Sequence, residues 1–356
     1  MRLSKFTLAG LLLTTLFIVT FVAFFEAFSP YLPCNPEAVC SPSLTATYID
    51  PPLRGYSFPQ IGSGQGVQLV GDHLYIYGQV AERDEGGVVL ELDKSLKPTG
   101  WKGNLTSNGR HVIPHPTGIA YRDGYPTFIG GAGDFYLIDW PLFKRDKNLD
   151  RAHLRTIRGD HKALSSTERA QGKTSWAARP EYVELDEKWL LASVGRYAYP
   201  DNYLTLMDPV KMSESGTVSD PGVIIQRIKT SPCVQTLHWH KEKQELVLVQ
   251  NQFEIRGWQL SFVDLPKAIT SGSTTEAVTS GFVVARRKFP AFGPLRSELE
   301  GYVALPDGRE VFVAAETTNN VLIGDYVTEP QSYGLLRKLS PSVPRLYLTH
   351  LRYCLL

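Results

Sequence analysis

Five polar side chains stand at equivalent points of a recurring pattern. Gln65, Thr117, Glu181, Gln235 and Glu300 each sit at the head of an apolar run. Two carboxylates and three neutral oxygen donors brought around one axis would suit a hard cation such as Ca²⁺, with Glu300, Glu181, Thr117 and Gln235 as its ligands. Glu181 and Glu300 facing one another across a cleft would equally serve as the two carboxylates of a glycosidase-type hydrolysis. The alternative for all five positions is that they bind channel water. A cationic group lies close by. Arg179 precedes Glu181 by two residues and His115 precedes Thr117 by two, with Arg110 and His111 just upstream. His238 and His240 flank Trp239 and fall on one face of an alternating strand. Arg179, His115 and His238 are therefore candidates to hold a phosphate or carboxylate. The His-x-His pair could also ligate a transition metal, but no third ligand stands out. There is no G-x-S-x-G, P-loop, G-x-G-x-x-G or H-E-x-x-H, which excludes the familiar nucleophile-elbow, Walker, dinucleotide and zincin chemistries.

The elements that must position these residues repeat along the chain. Copies begin at Gly66, Thr117, Glu181, Gln235 and Glu300. Each reads as an apolar strand, a polar turn, a second apolar strand, a looser loop and a third strand ending on or next to Asp93, Asp139, Asp208, Asp264 or Asp325. Fourth strands follow in "GVIIQRIK" (222–229) and "GFVVARRKF" (281–289). Such units cannot bury both faces alone and must stack into a ring, which predicts an all-β propeller of five four-stranded blades. "LTATYID" or "RLYLTHL" is expected to supply an edge or closing strand rather than a sixth blade. A charged insertion at 140–180 is expected to carry a fourth strand ("AHLRTIRG") and a short helix near "SSTERAQ".

The N-terminus is a separate element. Arg2 and Lys5 precede the uncharged run from Phe6 to Phe25, long enough to cross a bilayer, and Glu26 follows. Residues 1–28 are thus read as a signal anchor of a type II membrane protein, 29–60 as a linker, 61–340 as the propeller and 341–356 as a tail. The competing reading is a cleaved signal peptide and a secreted propeller. Export suits a local Cys34–Cys40 disulfide in "CNPEAVC", with Cys233 and Cys354 left open. A formal net charge of +1 and the absence of a long basic run argue against a nucleic-acid partner and leave a small molecule as the expected ligand.

Several stretches carry a family resemblance: "DHLYIYGQVAERDEGGVVLELD", the Trp101 region ending in "LTSNG", "AYRDGYPTFIGGAG", "PEYVELDEKWLLASVGRY" and "ELEGYVAL". Their order and spacing over 66–324 resemble the five-bladed propeller apyrases, the soluble calcium-activated nucleotidase family. The resemblance implies Ca²⁺-dependent hydrolysis of nucleoside di- or triphosphates in a lumen or outside the cell. Glu181 and Glu300 would then hold the metal or its water, and Arg179 and His115 would bind phosphate. The chain departs from the family's pattern at Thr117, where a Glu is expected, and at Glu181 and Gln235, where Ser is expected. The other functions compatible with the residues are a lactonase- or glycosidase-type propeller hydrolase and a non-catalytic binding propeller.

Overall fold

A computed structural model describes residues 46–49, 54–57, 63–79, 86–159, 178–195, 203–230, 234–251, 258–284, 298–317 and 320–326. The candidate membrane segment 1–28, the tail 341–356, all four cysteines and "SSTERAQ" lie outside these residues. Among the described residues no helix is long and apolar enough to cross a membrane.

The chain is all-β, and its sheets adopt a propeller arrangement. Two short N-terminal strands come first, β1 (Ala46–Ile49) and β2 (Arg54–Ser57). The first sheet is β3 (Ser63–Val70), β4 (His73–Gln79), β5 (Gly87–Leu92) and β6 (Pro98–Asn104). A two-stranded ribbon, β7 (Thr106–Ser107) and β8 (Arg110–His111), leads to the second sheet. That sheet is β9 (Gly118–Ala120), β10 (Thr127–Gly130), β11 (Asp134–Ile138) and β12 (His153–Arg158). The third is β13 (Arg179–Leu185), β14 (Lys188–Val194), β15 (Tyr203–Met207) and β16 (Ile224–Lys229). The fourth is β17 (Val234–His240), β18 (Glu245–Asn251), β19 (Trp258–Asp264) and β20 (Val278–Val284). The last is β21 (Glu298–Ala304), β22 (Glu310–Thr317) and β23 (Asn320–Tyr326).

Apart from β1 and β2, the strands of each sheet lie in chain order, so hairpin follows hairpin. The first strand of each sheet packs on the first strand of the next: β3 on β9, β9 on β13, β13 on β17, β17 on β21, and β21 back on β3. The strands heading the five sequence copies are therefore the innermost ones. Two strands come from the segment expected to be a linker. β2 pairs antiparallel with β23 as the fourth strand of the last sheet. β1, from "LTATYID", adds parallel to β20, so four of the large sheets have four strands and the remaining one has five. The edge strand expected from "LTATYID" is therefore β1, taken up on the outer edge of β20.

Burial explains why these runs form strands. Every residue of β5, "GVVLEL", is buried, because a middle strand has a neighbouring sheet against each face. Outer strands such as β12 and β16 are mostly exposed or half-buried, with one buried residue each, Ile157 and Ile228. The apolar core is accordingly split into clusters between consecutive sheets, such as Val67, Ile76, Leu90, Val303 and Val311 between the last and first. Sheets two and three approach closely at Gly130, where a Cβ would lie 1.7 Å from the Ala178 carbonyl oxygen.

The aspartates that end the third strands have a structural role. Asp139, Asp208 and Asp264 are N-caps of short helices α1 (Trp140–Asp146), α2 (Pro209–Glu214) and α3 (Leu265–Ser271), each with proline in its first two positions. Their carboxylates accept from backbone N–H groups of the first turn, for instance Leu142 N at 2.9 Å from Asp139. α1 occupies the start of the charged insertion and buries Trp140 and Phe143. The fourth strand expected in "AHLRTIRG" is β12.

Candidate functional site

The residues at the heads of the inner strands are delivered by irregular backbone. The β3–β4 register shifts between Gly64 and Gly66, the β17–β18 register between Val234 and Thr236, and the β21–β22 register between Leu299 and Gly301. The residues passed over are Gln65, Gln235 and Glu300. Three of the five polar positions are therefore bulge residues at equivalent points of three sheets. A bulge re-aims a side chain out of the strand's normal alternation and recurs beside active sites. β13 keeps regular pairing through Glu181, which faces Ala192. Thr117 stands one residue before β9.

Glu181 is 6 % exposed and Glu300 2 % exposed. Burial pushes the Glu181 carboxyl up to about 8, against hydrogen bonds from Gln68 and the Tyr182 backbone N–H that favour the ionised form. The Tyr182 bond is 3.0 Å long. Arg179 is buried beside it and reaches across to the fourth sheet. Its Nη2 donates to Gln235 Oε1 at 2.9 Å and its Nε to the Gln235 carbonyl oxygen. The Arg179 backbone N–H donates to Ser193 Oγ at 3.0 Å. Thr117 ties the second sheet to the third, its hydroxyl donating to the Ala178 carbonyl at 2.6 Å. Two of the four expected cation ligands, Thr117 and Gln235, thus already serve inter-sheet hydrogen bonds. Among the described residues no group of three or more His, Cys, Asp or Glu side chains is placed to hold a metal ion.

One further residue belongs to this group. Tyr77, on the second strand of the first sheet, is fully buried and pairs with Gly66. Burial raises its hydroxyl well above the usual phenol range. A hydrogen bond with Thr236 acts the other way, the carboxylates of Glu181 and Glu300 raise it further, and Arg179 lowers it. The phenol is thus within electrostatic reach of side chains of the third, fourth and fifth sheets. Its signal in the sequence was the glycine at the head of β3, which removes the side chain that would stand in its way.

The histidines are placed differently. His115 is partly buried at the same end of the ring, its Nδ1 3.3 Å from Gln79 Oε1. His238 lies three residues beyond Gln235, about 10 Å along the strand. Its Nε2 accepts from the Ala304 N–H at 3.1 Å, at the far end of β21. Burial, and then the neighbouring His240, push its pKa down to about 3, so it is a neutral acceptor. The structure therefore separates His238 from Arg179, Glu181 and Glu300. His240 lies beyond it, with Glu242 Oε2 3.6 Å from its Nδ1. Arg110 and His111 are exposed on the β7–β8 ribbon.

No family model matches the chain and no curated protein is similar to it. Among solved structures it is similar to a glutaminyl cyclase of Myxococcus xanthus, with 13% identity over 80% of this chain and 100% of that one, at a TM-score of 0.44. A family-43 β-1,3-galactosidase shares 10% identity over 76% of this chain and 92% of that one, also at 0.44. A hypothetical protein of Leishmania major shares 13% over 85% and 93%, at 0.42.

Proposed function

We propose that the chain is a five-bladed propeller hydrolase whose site lies at the heads of the inner strands. Glu181 is the general acid, and Glu300 is the nucleophile or the base that activates water. The substrate class is a glycosidic or lactone bond. The observation that carries this reading is a pair of buried glutamates at the heads of inner strands, Glu181 on β13 and Glu300 at the bulge of β21, in a ring whose inner strands pack on one another in turn. A buried carboxyl pushed toward its protonated form, with a second carboxyl in the same ring of strand heads, allows acid and base roles to be split between like groups. Glu181 would protonate the leaving oxygen while Glu300 attacks the carbon or takes a proton from water. The bulge at Glu300 supports the reading, since regular pairing would have been the simpler backbone. The N-terminal apolar segment would display such an enzyme on the far side of a membrane.

The test is turnover of a panel of p-nitrophenyl glycosides and simple lactones by the full chain. Glu181→Gln and Glu300→Gln should each lower kcat by about 100-fold or more. Turnover that survives both substitutions refutes the assignment. A second reading, a non-catalytic binding propeller, is favoured by the clamp of Arg179 on Gln235, which spends a buried cation on joining sheets. It predicts no turnover of any panel member.

A further inference from the structure

Gly66 and Tyr77 form a matched pair across β3 and β4. A Cβ at Gly66 would lie 2.1 Å from the Tyr77 hydroxyl oxygen, 2.4 Å from Cζ and 2.8 Å from Cε2. The innermost strand has given up a side chain at the one point where a residue of the second strand must pass. Gly66 also has φ +155, and the neighbouring bulge at Gln65 opens the strand there. The ring of Tyr77 therefore lies over the backbone of the inner strand at Gly66, and its hydroxyl reaches Thr236 of the fourth sheet within the electrostatic influence of Glu181, Glu300 and Arg179. A phenylalanine would fill the same apolar path without a polar atom to satisfy. One bond with Thr236 leaves a phenol hydroxyl capacity for another, since it both donates and accepts.

We propose that Tyr77 is a substrate-contacting residue of the axial site, its hydroxyl hydrogen-bonding an oxygen of the substrate held between Glu181 and Glu300. This rests on the hydrolase reading and deepens it: the substrate must present an oxygen beside the bond that breaks, as a sugar hydroxyl or a lactone carbonyl does.

The experiment compares wild type, Tyr77→Phe and Glu181→Gln on whichever panel substrate wild type turns over fastest, with thermal unfolding of each. Tyr77→Phe should fold and lose about 10- to 100-fold in both kcat and kcat/KM, the mark of a bond made in the transition state. Gly66→Ala, which drives a methyl group into the hydroxyl's position, should reproduce that loss. A merely structural Tyr77 lowers the unfolding temperature and leaves kcat and KM unchanged. That result, with Glu181→Gln inactive, overturns the role of Tyr77 and leaves the hydrolase reading standing. Turnover unaffected by Glu181→Gln, or no turnover by wild type, overturns both.

Discussion

Glu181 carries a stability cost whose size and sign follow from its surroundings. An ordinary carboxyl of this type titrates at 4.5, whereas burial in the folded protein holds Glu181 at about 8. Because the folded value is the higher one, folding takes up a proton between those two limits, and stability declines as pH rises through that window. The slope is about 1.4 kcal/mol per pH unit. Relative to acid conditions, the cost is about 3 kcal/mol at pH 7 and approaches ~5 kcal/mol above pH 8. Glu181→Gln removes the ionisable group, and its amide oxygen can still accept from the Tyr182 N–H.

Urea unfolding of wild type and Glu181→Gln at half-unit steps from pH 5 to 8.5 measures this directly. The stability of wild type minus that of the variant should fall by about 1.4 kcal/mol per unit from pH 5 to 7.5 and then level. The variant should therefore gain about 3 kcal/mol on wild type by pH 7. A difference that stays flat across the range would mean that the folded carboxyl is ionised. It would then be solvated or paired with a cation, and the general-acid role would fail with it. Repeating the series with Ca²⁺ present separates these cases, since a cation bound at Glu181 would flatten a slope seen without it.

Two other outcomes follow from the same structure. His238 is held neutral with its pKa near 3, so its contribution is present above 6.5 and is lost as pH falls toward 3; His238→Gln should remove about 2 kcal/mol of wild type's loss of stability between pH 7 and 5, read by the same urea series. Asp264→Ala and Asp208→Ala should each cost about 1 kcal/mol by removing an N-cap, and the corresponding Asn variants much less, as measured by denaturant midpoints.

The heads of the inner strands were legible because apolar runs and turns are local signals, and the polar residues sit where those runs begin. What the backbone does at those heads was not legible. Whether Gln65, Gln235 and Glu300 are bulge residues depends on the register of the second strand, which is set by pairing rather than by the residues themselves. Placing His238 with the axial group followed from its face of the strand, but its distance along the strand puts it beside Ala304 instead. The helix expected near "SSTERAQ" falls outside the described residues; the helix at the start of the insertion was not anticipated, although "DWPLFKRD" carries a start signal, an aspartate cap followed by proline. Tyr77 was passed over because it lies on a second strand, and only the vacancy at Gly66 lets a second strand reach the axis.

That vacancy, the bulges and the protonation of Glu181 bear on one question, whether the centre of the ring is a site or filler. A ring that needed only to be filled could do so with apolar side chains, as the clusters between its sheets do. Instead, two carboxyls, a guanidinium and a phenol are brought in from three sheets; Glu300 lies at a bulge in an inner strand, and Gly66, which makes room for the phenol of Tyr77, lies beside another. Arg179 and Thr117 account for themselves by joining sheets. Glu181 also joins sheets, through its hydrogen bond with Gln68 of β3, but a glutamine could accept that bond without the penalty of a buried ionisable group. A group retained against its own contribution to stability is the pattern that stability–function trade-offs leave at active sites, which is why the pH series on Glu181→Gln tests the function as well as the fold.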